Sequence, residues 1–139
     1  MKITPENILS EQEKQVLQSS INAAERGTTG RIRVHIEKKA GRAPFERARA
    51  VFENYGLNGY ADRNCVLLYV STEDRQFVVF ADDGINEKVP EGFWKHVSDS
   101  VTGKMKDGQF SIGLTAAVSL TGNMLMEFFP AVSENGVRL

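Results

Sequence analysis

From Asn64 to Val70 the chain reads Asn-Cys-Val-Leu-Leu-Tyr-Val, an apolar run that is continuous instead of alternating. Successive side chains of a strand point to opposite faces, so a strand with one wet face must alternate, and one that does not is buried on both sides. A single sheet lying on a single layer of helices cannot bury it. The run therefore demands helices above and below a sheet in which it is central, and it predicts a three-layer α/β/α sandwich around a small mixed sheet. A polar turn at Ser71–Arg75 and a second apolar strand at Gln76–Ala81 make the run the first arm of an antiparallel hairpin, which Asp82-Asp83-Gly84 stops.

The neighbouring segments supply the layers. Ser10-Glu11-Gln12-Glu13 is a capping-box pattern, and Val16, Leu17, Ser20, Ile21 and Ala24 follow on one helical face before Gly27 to Gly30 ends the run. Arg31 to Glu37 alternates, with Ile32, Val34 and Ile36 on one side and Arg31, Arg33, His35 and Glu37 on the other, the pattern of a strand near a sheet edge. Pro44 suits a first helical turn, and Phe45, Ala48, Val51, Phe52 and Tyr55 form an apolar stripe that ends near Gly56. After Pro90 one helix carries Phe93, Trp94, Val97, Val101 and Met105; after Gly108 another carries Phe110, Leu114, Ala117, Val118, Leu125 and Phe128. Within the latter, Gly113 and Gly122 lower helix propensity but permit close packing. The 139 residues make one domain, with a polar tail over 131–139 expected to fray.

Charge and cysteine content narrow the function classes. Seventeen basic residues against eighteen acidic ones give no basic field for nucleic acid, so a nucleic-acid partner is not expected. One cysteine, Cys65, excludes an internal disulfide and a multi-cysteine zinc module, and its place in the apolar run makes it a core thiol. No stretch approaches the ~18 apolar residues of a membrane span, and Met1 to Leu9 lacks the pattern of a secretory leader. A cytoplasmic monomer is the expectation, although a leader or anchor outside these residues would leave no trace in them. Phosphate loops, nucleophile elbows and zinc-protease helices are all missing from the sequence. His35 and His96 have no metal-spaced partner and read as surface or packing residues, as Phe93-Trp94 reads as core.

Six short motifs stand in order along the chain: Ala24-Glu25 followed by Thr28-Thr29-Gly30-Arg31-Ile32-Arg33-Val34; Arg47-Ala48 with Val51-Phe52; Arg63-Asn64-Cys65-Val66-Leu67-Leu68-Tyr69-Val70; Asp82-Asp83-Gly84-Ile85; Phe93-Trp94; and Phe129-Pro130. Together they resemble the TPM domain, a family named for a thylakoid-lumen protein, a photosystem-repair protein and a nematode receptor modulator. The resemblance implies the same α/β/α sandwich. It also implies divalent-cation binding, with weak acid-phosphatase activity associated with plant relatives and no assigned role for many bacterial ones. Two departures stand out: family members commonly carry a glutamate where this chain has Arg31, and many carry a signal peptide and a membrane anchor. This chain resembles the stand-alone type.

Counting outward from a hairpin turn near Glu73 pairs Val70 with Gln76, Asn64 with Asp82 and Arg63 with Asp83, within about two residues. Asp62, Asp82 and Asp83 then arrive at one end of the sheet, and a helical crossover between parallel strands brings Gly30-Arg31 there too. Carboxylates gathered on loops repel unless a cation lies between them, and an all-oxygen set selects Ca²⁺ or Mg²⁺ over zinc or copper. Asp-Asp-Gly after a strand is equally an ordinary turn signal, and Asp62 can simply cap a loop or pair with Arg63. The end in question is also the amino end of the parallel strands, whereas open α/β sheets bind ligands at the carboxyl end. Two functions compete on these residues. One is a binding module that takes up Ca²⁺ or Mg²⁺ through Asp62, Asp82 and Asp83 and is stabilised, or made competent for a protein partner, by the ion. The other is a weak, metal-dependent phosphomonoesterase with Arg63, Asn64 and Arg31 on the phosphate and no recognisable nucleophile. A protein-interaction domain without metal is the third reading.

Overall fold

A computed structural model describes residues 2–133 and 136–137. The elements run α1 (Glu11–Arg26), β1 (Arg31–Glu37), α2 (Pro44–Asn54), a 3₁₀ turn (Leu57–Gly59), β2 (Cys65–Ser71), β3 (Gln76–Ala81), α3 (Asp83–Asn86), α4 (Phe93–Lys106), α5 (Phe110–Phe128), β4 (Val132–Ser133) and β5 (Gly136–Val137). The first three strands form one sheet in the order β1-β2-β3, with β1 and β2 parallel across the α2 crossover and β2 and β3 antiparallel. The fold is the expected α/β/α sandwich.

Every residue of β2 is buried, and its side chains divide between two cores as continuous apolarity requires. Val66, Leu68 and Val70 join Leu17, Ile21, Ile32, Val97, Val101, Leu114 and Leu125 beneath α1, α4 and α5. Cys65, Leu67 and Tyr69 join Ala48, Val51 and Phe52 beneath α2. Burial pushes the Cys65 thiol up to about 12, so at neutral pH it is a packing group and not a nucleophile. The capping box forms as written, with the Glu13 amide donating to Ser10 Oγ and the Ser10 amide to a Glu13 carboxylate oxygen. Gly122 lets α5 press against α1: a Cβ there would sit 2.6 Å from that of Ala24.

Four expectations need correction. Val16 is exposed, because α1 turns only the Leu17 and Ile21 edge of its stripe inward. Phe45 and Tyr55 are exposed as well, standing at the rim of α2 against Phe80 and His35 instead of within the core. The hairpin register is shifted by one: Ser71 pairs with Gln76 and Val70 with Phe77. The turn is four residues long with Arg75 in the left-handed region, so Ser71 remains in the ladder. Finally, Asp82 does not merely stop β3; it caps the one-turn helix α3. The expectation of a frayed tail falls partly outside the described residues, and Val132–Ser133 pairs antiparallel with Gly136–Val137.

Candidate functional site

The amino ends of β1 and β2 and the end of β3 meet where three loops pack through two glycines. Thr28 fixes the first loop by donating its hydroxyl to the carbonyl oxygen of Leu125, and Thr29 donates its amide to that of Phe129. A Cβ on Gly30 would lie 2.8 Å from the Asn64 carbonyl oxygen, so only glycine lets the start of β1 come this close to the start of β2. On the far side, a Cβ on Gly84 would run into the Asp62 carbonyl oxygen and sit 2.6 Å from that of Arg63. The loop before β2 is thus clamped between Gly30 and Gly84. Arg63 takes φ 50° to make the passage, a left-handed conformation uncommon for a side chain of its size.

The aspartates occupy unlike positions in this clamp. Asp82 is buried, its side chain 5% exposed, and one of its oxygens accepts the Asp83 amide at 2.8 Å to cap α3. Both oxygens also accept from Arg63, Nε at 2.7 Å and Nη2 at 2.8 Å, a two-pronged fork. Asp83 is 81% exposed and lies 3.8 Å from the same guanidinium. Asp62 contributes its backbone carbonyl to the Gly84 contact while its side chain faces solvent.

Among the described residues, no three His, Cys, Asp or Glu side chains are gathered closely enough to hold a metal ion. The Asp82 amide bonds to the Cys65 carbonyl, which sets Arg63 opposite Gly84; the long arginine side chain reaches back to Asp82, and the Asp82 charge is already neutralised by it. The Asp82 carboxylate in turn raises the pKa of Arg63, which stays charged. Of the residues expected on a phosphate, Asn64 is buried with its amide donated to Thr29 Oγ1, and Arg31 donates to the Gly30 carbonyl. Arg31, Arg63 and Asn64 share one end of the sheet, but each is turned to a protein partner.

A second polar cluster escaped the sequence analysis. Under α2, Glu37 at the end of β1 accepts Nε and Nη2 of Arg47 at 2.7 and 2.8 Å and the hydroxyl of Tyr69. His35 bridges Glu37 at 3.1 Å and Tyr55 at 2.8 Å, with its ring stacked on Tyr69. Arg47 above all, aided by Tyr69 and His35, overcomes the opposing effect of burial and lowers Glu37 to about 2. The available signal was Tyr69 itself, a hydroxyl inside an otherwise apolar strand that has to find a partner.

The family model for the TPM domain matches residues 3–124. The chain belongs to the TPM-domain family. Its Phe129-Pro130 motif lies beyond the matched span, yet that is the segment to which Thr28 and Thr29 of the first motif are bonded. The BA42 protein of the psychrophilic bacterium Bizionia argentinensis, whose structure was solved by NMR, is 34% identical and superimposes with a TM-score of 0.83, over 94% of this chain and 90% of that one. The N-terminal domain of a P. gingivalis protein shares the fold at 18% identity and a TM-score of 0.72, over 86% of this chain and 77% of the other. The N-terminal domain of the cg2496 protein of Corynebacterium glutamicum does so at 12% and 0.65, over 84% and 74%. No curated protein matches the chain. In this TPM domain no helix among the described residues is long and apolar enough to cross a membrane.

Proposed function

We propose that this TPM domain is a binding module whose Asp82 end takes up a divalent cation, Ca²⁺ or Mg²⁺, with Arg63 acting as an internal counter-ion that the cation must displace. The observation that supports the reading is the close contact of Gly84 with the carbonyl oxygens of Asp62 and Arg63, which brings the loop of Asp62 against the turn that carries the Asp82 and Asp83 carboxylates. These donors are all oxygen, the preference of hard cations. Among the described residues, Arg63 is the only side chain that crosslinks the two loops there with charge; it is 48% exposed, and so is free to swing into water. Asp82, Asp83 and Asp62 would hold the ion, and Asp82 would keep its bond to the Asp83 amide. The ion supplies positive charge that fastens the loop before β2 to the start of α3. Displacing an ion pair makes the affinity low, in the sub-millimolar to millimolar range, of order 10⁻⁴–10⁻³ M for exposed calcium sites. Nothing in the positions of Arg31 or Asn64 favours a phosphate, so the binding module is preferred to the phosphomonoesterase.

The test is a titration with CaCl₂ and, separately, MgCl₂ to about 10 mM at constant ionic strength, followed by amide NMR, a range set by such weak sites. Saturable shifts confined to 62–64 and 82–85 are expected. Shifts that are absent, or that are spread over the acidic surface without saturating, overturn the reading.

A further inference from the structure

We infer that the open edge of β1 is a docking site for an extended peptide strand that alternates apolar and acidic side chains. Among the described residues, β1 pairs with β2 on one side only. The Arg31 amide and the Glu37 carbonyl both bond toward β2, so the peptide groups of Arg31, Arg33, His35 and Glu37 face the sheet and those of Ile32, Val34 and Ile36 face outward. The protein closes one of these outward groups: the Ile32 amide donates to a Glu25 carboxylate oxygen at 2.8 Å. The Val34 and Ile36 amides have no hydrogen-bond partner among the described residues.

An unpaired edge of this kind is a template for another strand, and proteins blunt it with a proline, a bulge, a covering element or charged side chains, of which β1 carries only the last, in Arg31, Arg33 and Glu37. β1 has no proline, and its seven residues pair with β2 without a bulge. It is not flat surface either. The edge lies along a groove of about 620 Å³, with Leu17 and Ile21 of α1 on one wall and Leu57 and Tyr60 on the other. A single extended strand entering this groove would continue the sheet through Val34 and Ile36, in the manner of β-strand addition, where main-chain bonds give affinity and alternate side chains give specificity.

The groove states which strand. On the α1 wall the docked side chains would meet Leu17, Ile21, Val34 and Ile36, so every second residue is apolar. On the other wall they would meet Arg31 and Arg33, while Lys14 stands at the rim, so the intervening residues are acidic. The one acid in the groove, Glu25, is engaged by Ile32. A second copy of the chain fits less well, because it would bring its own Lys14, Arg31 and Arg33 to a groove already basic. This docking edge borders the sheet end that carries the Asp82 clamp at Arg31, but its outward amides at Val34 and Ile36 take no part in the clamp.

The probe is an end-blocked octapeptide alternating valine and aspartate, titrated into the intact protein and followed by amide NMR and hydrogen exchange. Saturable shifts and slowed exchange at Val34 and Ile36 are expected, with no binding by the valine–lysine counterpart. Val34→Pro removes an outward amide that the fold does not use and should abolish binding, since an edge strand tolerates proline where its amide faces water. Should that variant not fold, Lys14→Glu with Arg33→Glu leaves the backbone intact and is expected to weaken the acidic peptide at least tenfold. Equal binding of the lysine peptide, undiminished binding by either variant, or slowed exchange at Val34 that tracks dimerisation in sedimentation runs without peptide would overturn the proposal.

Discussion

Two arginine–carboxylate forks in this molecule are nearly superimposable in their own geometry and opposite in their surroundings. Glu37 takes Arg47 at 2.7 and 2.8 Å, and Asp82 takes Arg63 at the same two distances. Arg47 projects from the first turn of the 11-residue helix α2, and Glu37 is braced again by Tyr69 and His35. Arg63 projects from a loop residue in the left-handed region, and among the described residues no other side chain shares its grip on Asp82. The first fork therefore fastens α2 to the sheet; the second is the one that can open. Contact distance alone does not distinguish a rivet from a latch, whereas the number of independent supports does.

The largest effect should come from the braced fork. Glu37→Ala leaves the Tyr69 hydroxyl buried without its acceptor and frees Arg47, and is expected to cost about 3 kcal/mol, or roughly 10 °C in thermal midpoint. A loss below about 1 kcal/mol, as for a surface ion pair, would erase the contrast. Acid titration sharpens it. Glu37 is lowered from an ordinary value of 4.5 to about 2, so its contribution is whole above pH 4.5 and disappears as pH falls from there toward 2. Denaturant unfolding across that interval should show wild type losing about 2 kcal/mol more than Glu37→Gln, the half-exposed Arg47 limiting the sum through solvent screening. Parallel pH profiles for the two proteins would contradict this. A smaller effect is expected from Gly84→Ala, which drives a methyl group into the Asp62 and Arg63 carbonyls: about 1–2 kcal/mol from overpacking, together with loss of any Ca²⁺ response. Wild-type stability in that variant would mean that the clamp is not tight.

How much of this could be read from the chain depends on how local the cause is. Burial of β2 on both faces follows from six consecutive apolar residues, and the start of α1 from Ser10 and Glu13, because each cause lies within one element. The site was legible as a place: Asp62, Arg63, Asp82 and Asp83 do meet at one sheet end. Its electrostatics were not. Arg63 lies opposite Gly84 in the observed register, and it is the reach of its long side chain, which no count of paired residues reveals, that brings it to Asp82. The helix α3 is a single turn, too short for periodicity to reveal, so the capping role of Asp82 was hidden as well. The Glu37 cluster draws on β1, α2 and β2, with Tyr69 thirty-two residues from its acceptor, and no window along the sequence contains it. Val16 and Phe45 show the same limit from the other side, since periodicity marks an apolar face but not how much of its width the core will cover.

The claim that Arg63 stands where a cation would go is tested most directly by Arg63→Gln. Without ions this variant should lose only about 3 °C, as befits a half-exposed arginine. Titrated with CaCl₂ to about 10 mM at constant ionic strength, it should gain more than wild type, because no internal charge competes and binding at a hundredfold excess over Kd is worth roughly 2.7 kcal/mol, a rise on the order of 9 °C. Asp82→Asn with Asp83→Asn keeps the cap of α3, since asparagine serves that position as well, and should show almost no rise. If calcium raises wild type and Arg63→Gln equally, Arg63 is no latch; if it leaves the midpoint of both unchanged, the Asp82 end is only a turn held shut by its own ion pair.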